Sequence, residues 1–309
     1  MEVTNKTATE FVLLGFQELP SFQLGLFFIF LSIYAATLVG NSLSTGLFCL
    51  DHHFHSPMYI FLCNMSVLDM SFTSMILPKL LDIFLTGNNV ISYNGCMTQL
   101  FFLVMLMVTE YFILATMAYD RYVAICLPLR YSHFMSLQVC FLVSFISWSI
   151  GVLDSILYTI LISSCKFCRS NKIDHLFCDL KPLMMLSCSD TRTIEMVILG
   201  PSAVIGFVPS VMTLVSYIYI ISTILKINTK DGRLKTFSTC SSHLTVILLF
   251  YGTVLGMYMR PKSSYSMDQD KVFAILYAGV IPMLNPLIYS LKNQEVKKAL
   301  RRIRKQMIC

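Results

Sequence analysis

The sequence predicts an all-α fold: a bundle of seven membrane-spanning helices over residues 23–291, followed by a short amphipathic helix in the C-terminal segment 292–309. Three observations carry that expectation. Of the 309 residues, 56% are hydrophobic and only 13% are charged, which is more apolar surface than one water-soluble core can enclose. Seven runs reach the length of about 20 mainly apolar residues that crosses about 30 Å of hydrocarbon. Backbone N–H and C=O groups cannot go unpaired in lipid, so runs of this length are helices; transmembrane strands would be shorter and alternating.

The first span, near 23–48, has no positively charged n-region with an h-region ahead of residue 20, so no cleaved signal peptide is expected and this span serves as the insertion signal. Residues 1–22 are expected outside the cell, where Asn5-Lys6-Thr7 reads as a glycosylation acceptor. The second span, near 57–84, carries Asp69 and Pro78; the third, near 95–126, is apolar around Glu110 until Asp120-Arg121 closes it. The fourth runs near 138–161 with Trp148 and Asp154, and the fifth near 194–226 with Pro201 and Pro209. The sixth lies near 235–259 and the seventh near 270–291 with Pro282; each of these prolines should kink its helix locally. An odd number of crossings puts the two ends on opposite faces. With the N-terminus outside, the cytoplasmic segments hold 13 of the 23 Lys and Arg against four acids, a modest bias in the direction the Asn5 acceptor also indicates. No repeat, low-complexity run or soluble insert interrupts the chain, so 1–309 reads as one domain. The tail LKNQEVKKALRRIRKQMIC places Val296, Leu300 and Ile303 at helical spacing among cations, either a helix resting on anionic membrane lipid or a stop-transfer cluster.

Several function classes fall away. A transporter should show repeats and broken helices around a polar midplane site, and a channel a filter or a charged ring; neither pattern occurs. An intramembrane enzyme needs a nucleophile with its base, or metal ligands at helical spacing. His52, His53 and His55 cluster beside Asp51, but on a short inner loop that reads as a solvated turn. The basic tail joins a span directly, which argues against nucleic acid as a partner. No catalytic constellation is expected.

The most informative string is MAYDRYVAICLPLRY, Met117–Tyr131. Charge at the mouth of an apolar helix needs a reason. Arg121 can face a cytoplasmic partner while the neighbouring Asp120 carboxylate keeps it paired, which makes a latch. Glu110 lies eleven residues before Arg121, roughly 16 Å along the same helix face. Asp69 and Glu110, two carboxyls in mid-membrane, need a shared proton, a cation, or polar partners such as Asn41 and Asn285. Five cysteines fall outside: Cys96, Cys165, Cys168, Cys178 and Cys188, four of them in the long loop 162–193, which would be floppy unless stapled. Residue types alone leave three pairings open for Cys96, Cys168, Cys178 and Cys188.

MAYDRYVAIC resembles the region of the same character in rhodopsin-like G-protein-coupled receptors, and specifically their odorant-receptor branch. The resemblance covers nearly the whole chain: Gly40-Asn41, HSPMY at His55–Tyr59, Leu68-Asp69, Trp148, Ser216-Tyr217, KTFSTCSSHL at Lys235–Leu244 and PMLNPLIYSLKN at Pro282–Asn293 follow in order. It implies disulfides Cys96–Cys178 and Cys168–Cys188, with Cys165 left over. It implies a sodium-linked site at Asp69 and Glu110, which stands beside the alternative of a protonated, hydrogen-bonded pair; no other cofactor is expected. It implies that opening the bundle frees Arg121 from Asp120 toward Tyr217, Tyr289 or a G protein, with Tyr122 beside it, His243 locking the inactive state, and Asn285-Pro286 giving the seventh helix a place to bend. A ligand pocket is expected in the outer half, where spans three, five, six and seven converge. Its lining is Leu103, Val104, Met107 and Val108 of the third, Ser202, Ile205 and Gly206 of the fifth, Tyr251, Val254, Leu255 and Tyr258 of the sixth, and Ile275 and Ala278 of the seventh. No acid replaces Leu103, so the lining suits a small, mainly lipophilic volatile odorant held by shape, with Ser202, Tyr251 or Tyr258 offering a hydrogen bond. The implied partners are a heterotrimeric stimulatory olfactory-type G protein that raises cyclic AMP, membrane lipid and export chaperones, in the plasma membrane of an olfactory sensory neuron. The competing reading is a receptor of the same superfamily for a non-odorant small lipophilic ligand.

Overall fold

A computed structural model describes residues 9–15, 22–50, 56–168, 170–189, 192–258 and 267–292. Seven of its helices are long and apolar enough to cross a membrane. They are α1 (Gln23–Leu50), α2 (Pro57–Thr86), α3 (Tyr93–Cys126), α5 (Leu137–Ser163), α7 (Arg192–Leu225), α8 (Lys230–Tyr258) and a seventh built from α9 (Met267–Ile275), a π-turn (Leu276–Val280) and α10 (Ile281–Lys292). Short α4 (Tyr131–Phe134) and α6 (Leu180–Leu186) lie in the loops after α3 and α5. Asn5 and the segment expected to form the C-terminal amphipathic helix lie outside the described residues.

Local sequence explains the helix ends. Pro57 opens α2, where its missing N–H is no loss, and Gly87 closes it at φ 73°, donating its N–H to the Ile83 carbonyl at 2.9 Å. Ser92 and Ser136 cap α3 and α5, their hydroxyls accepting from Gly95 N–H at 3.1 Å and Val139 N–H at 3.3 Å. The prolines behave unequally. Pro78, Pro201, Pro209 and Pro286 sit inside continuous helix, whereas Pro282 is the second residue of α10, two positions after the π-turn ends. A proline there cannot donate to the preceding turn, and widening the turn accommodates its ring.

Helix α3 is the axis of the bundle: it packs on α2, α5, α7 and α8. Its buried residues lie on every face, as a helix in a bundle centre requires. Gly151 of α5 lets that packing close, since a Cβ there would stand 2.6 Å from the Met105 carbonyl oxygen. Trp148 Nε1 donates to Asn64 Oδ1 at 2.9 Å, tying α5 to α2.

The outer end departs from an all-helical expectation. Residues Glu10–Leu13 form β1, the middle strand of a small sheet between β2 (Val90–Ser92), antiparallel, and β3 (Lys172–Ile173), parallel. Residues Glu10–Leu13 are thereby built into a cap. Phe11, 0% exposed, sits edge-on to Phe167 with ring centroids 5.3 Å apart. Disulfides Cys96–Cys178 and Cys168–Cys188 staple the long loop, with Cα–Cα distances of 5.4 and 5.9 Å. Gln99 of α3 joins them: its Oε1 accepts from Cys178 N–H at 2.8 Å and its Nε2 donates to the Met75 carbonyl at 2.8 Å. Cys165 is a buried free thiol.

Candidate functional site

At the inner end of α3 the Asp120–Arg121 pair is closed. Arg121 donates through Nη2 and Nε to Asp120 Oδ2 at 2.5 and 3.0 Å, and the Asp120 side chain is 1% exposed. The second carboxylate oxygen is also taken: Tyr131, on the short helix α4, donates to Asp120 Oδ1 at 2.7 Å. Burial first, and the Asp120 carboxylate second, push the Tyr131 phenol above its ordinary value, so it remains a donor. Tyr131 was not among the expected switch residues, although it ends the most informative string. Its distance from Asp120 in sequence hides the contact.

The two other inner-end residues meet as a pair. Tyr217 of α7 lies 3.0 Å through its hydroxyl from His243 Nδ1 of α8, both buried. Tyr122 stacks obliquely between Tyr119 and Tyr219, at 6.0 and 5.7 Å. Tyr289, by contrast, has a buried hydroxyl with no hydrogen-bond partner among the described residues. An unsatisfied donor in the core is a cost the closed bundle carries, and one a rearrangement could relieve.

Midway up, the two carboxyls are satisfied separately by donors from the seventh span. Asn285 Nδ2 donates to Asp69 Oδ1 and Oδ2 at 2.9 and 3.0 Å, and Tyr277 donates to Glu110 Oε2 at 3.1 Å. Asn41, the other partner proposed for them, instead donates to the Pro282 carbonyl at 3.1 Å, just after the π-turn. Gly40 makes that approach possible: a Cβ there would lie 3.0 Å from Pro286 Cγ. Tyr277 is the functional residue missed from the sequence. A tyrosine in mid-span is a buried donor in need of an acceptor, and that was the available signal. Beside Asp69 lies a small cavity of about 10 Å³, lined by Asn41, Ser66, Asp69, Asn285 and Tyr289 among others. Asn285 Oδ1 is buried there with no hydrogen-bond partner among the described residues. Glu110 does not line this cavity, so it brings one acid, Asp69, rather than the expected pair to any cation there.

The residues expected to line an outer pocket fall into two groups. Leu103, Val254 and Ala278 are buried in the central cluster, with Met107, Tyr251 and Ile275 packed against it. Val104 and Val108 belong to the outer cluster beneath the stapled loop, with Ile205 against them. The third helix thus presents one face to spans six and seven and another to spans four and five. Gly206 is half-buried, while Ser202 is exposed apart from its 2.5 Å contact with Tyr158 Oη. Leu255 needs correcting: at 50% exposed it lies on the outer surface of α8, one helical position from buried Val254. The Tyr258 side chain lies outside the described residues. The small cavity beside Asp69 is lined by none of the expected pocket residues.

Comparison with known proteins matches this architecture over its full extent. A sequence model described as olfactory receptor matches residues 30–307. Human olfactory receptor 5B12 is 47% identical over 301 residues, covering 96% of this chain and 95% of its own. Human olfactory receptor OR9H1 is 50% identical over 294 residues, covering 95% and 96%, and mouse olfactory receptor 5AR1 is 45% identical over 299, covering 97% and 96%. These relatives are receptors rather than enzymes. With seven spans and this likeness over nearly the whole chain, the chain belongs to the olfactory receptor family of G-protein-coupled receptors.

Proposed function

We propose that this chain binds small, mainly lipophilic volatile molecules in the outer half of its bundle and, when occupied, activates a stimulatory olfactory-type G protein, raising cyclic AMP. The observation that carries the reading is the mechanical continuity of α3. One helix bears the apolar residues Leu103, Val104, Met107 and Val108 near its outer end and the closed Asp120–Arg121 pair at its inner end. A ligand that prefers an open arrangement of α3 against its neighbours shifts the population toward a state in which Arg121 leaves Asp120. Its differential affinity for that state sets the whole size of the response. Tyr217 and His243, released from one another, then border the cavity that receives the G protein.

The same reading places the N-terminus outside and the C-terminus in the cytoplasm, in the plasma membrane of a sensory neuron, with the basic tail on inner-leaflet lipid and chaperones assisting export. Sodium, expected at Asp69 and Glu110, would meet Asp69 alone in the cavity. The chain's own part is to keep those carboxyls hydrogen-bonded to Asn285 and Tyr277 while the bundle stays closed. Screening a broad panel of volatile compounds on cells expressing this chain with and without the olfactory-type G-protein α-subunit tests the proposal. It requires at least one saturable cyclic-AMP response that depends on that subunit; silence across the panel at verified surface expression contradicts it.

A further inference from the structure

The turn Leu276–Val280 of the seventh span is π rather than α: the Ile281 N–H donates to the Leu276 carbonyl, five residues back. Two prolines, four residues apart, interrupt the α-ladder beside it. Pro282 has no N–H for the Ala278 carbonyl, and in an α-turn its ring would press on that carbonyl. Pro286 has none for the Pro282 carbonyl, which accepts from Asn41 Nδ2 at 3.1 Å instead. Single π-turns are rare inside helices and occur frequently at functional sites.

The wide turn decides which way two donors face. Tyr277 and Asn285 are eight positions apart, which in an unbroken α-helix turns their side chains about 80° from one another. A π-turn absorbs about one residue without advancing the helix, and Leu276–Val280 begins one residue before Tyr277, so the angle between the two falls to about 20°. Both then face the seam of α2 and α3, where each meets its acid. Asn285 Nδ2 donates to Asp69 Oδ1 and Oδ2 at 2.9 and 3.0 Å, and the Tyr277 hydroxyl donates to Glu110 Oε2 at 3.1 Å. The Tyr277 ring meets Phe72, three residues from Asp69 on α2, edge-on with centroids 4.5 Å apart. Both donors are buried, so neither bond is exchanged for one to bulk water unless the helix moves.

We propose that this π-turn is a register switch that holds the receptor inactive: while wide it lets one helix donate to both buried acids, and its closure to ordinary α-helix on activation takes Tyr277 off Glu110. Asn285 is the donor that stays, because it makes two bonds to Asp69 and its segment is tied to α1 through Asn41, whereas Tyr277 holds Glu110 by a single bond. Tyr277 is thus a positioning residue, and Pro282 sets the width of the turn in the closed state. The inference rests on the odorant-receptor reading above and deepens it by naming how the seventh span is regulated.

The test measures basal cyclic AMP in cells expressing the full chain with the olfactory-type G-protein α-subunit, at matched surface density. Three changes are compared singly and in combination: Tyr277→Phe, which removes only the hydroxyl; Pro282→Ala, which restores an N–H and lets the turn close; and deletion of Val280, which takes out the extra residue. Each is expected to raise basal output about fivefold, and adding Tyr277→Phe to either of the others should raise it no further, since the bond is already lost. A merely structural role would instead lower surface level and leave basal output per receptor unchanged. Basal output of Tyr277→Phe equal to wild type, or combined effects that multiply to about twenty-five-fold, overturns the inference. If the deletion fails to reach the surface, Pro282→Ala with Tyr277→Phe decides, and if that also fails, Tyr277→Phe alone decides. A wild type that answers volatile compounds beside unaltered variants sinks only this inference, whereas a wild type with no subunit-dependent cyclic AMP, basal or evoked, overturns the receptor reading and this inference together.

Discussion

Tyr131 is the residue whose removal should speak most clearly about the latch, because it touches only one end of it. Replacing it with phenylalanine deletes the 2.7 Å hydrogen bond to Asp120 and leaves the Arg121 pairing in place. A bond of this kind contributes about 1 kcal/mol, so basal cyclic-AMP output should rise about fivefold at equal surface density. Asp69→Asn acts in the opposite sense. It sets an amide against the Asn285 amide in a buried site and should lower agonist-driven signalling more than it lowers surface expression. An unchanged dose response, with and without sodium, would contradict that expectation. At this scale the sequence was legible wherever partners are neighbours. Asp120 and Arg121 are adjacent, and their pairing follows from their depth alone. Tyr131 and Tyr277 were not legible as partners, because one reaches Asp120 across a turn and the other reaches Glu110 from another helix.

The seven spans were readable for the simplest reason: the hydrocarbon thickness dictates their length, and their boundaries agree with the apolar runs to within a few residues except at α8, whose polar first turns precede its apolar stretch Cys240–Met257. The strand β1 was not readable, since four residues carry no periodicity of their own and both partner strands lie far along the chain. Helix packing gives a sharp prediction. Gly151→Val forces a side chain into the Met105 carbonyl and should cost about 2 to 3 kcal/mol or more, lowering surface level and the thermal unfolding midpoint, whereas Gly46→Ala, with open space around its Cβ, should leave both near wild type. The stapled loop gives another. His175 is buried beside Phe177, and burial pushes its imidazole below the ordinary value of 6.5, opposed by Asp179 and Asp270 and assisted by Lys271. Below about that pH the unfolded loop takes up the proton that the folded loop refuses, so stability is complete above it and declines as pH falls. The unfolding midpoint of purified receptor should therefore drop between about pH 7.5 and pH 5.5, and His175→Gln should flatten that slope.

At the scale of the molecule, α3 connects a capped, apolar outer half to a charged inner mouth, and the odd number of spans puts the two chain ends on opposite faces. Tags at both ends should accordingly differ in access from outside intact cells. The described part of the outer half carries a sheet, two disulfides and the Lys271–Asp174 ion pair at 2.7 Å. The central claim is that what happens at this outer end is reported through one guanidinium at the other. It is tested most directly by measuring agonist-evoked cyclic AMP from Arg121→Ala beside wild type at matched surface density, using any volatile compound that activates the wild type. The account predicts that the evoked response is lost in the variant, and an undiminished response would contradict it.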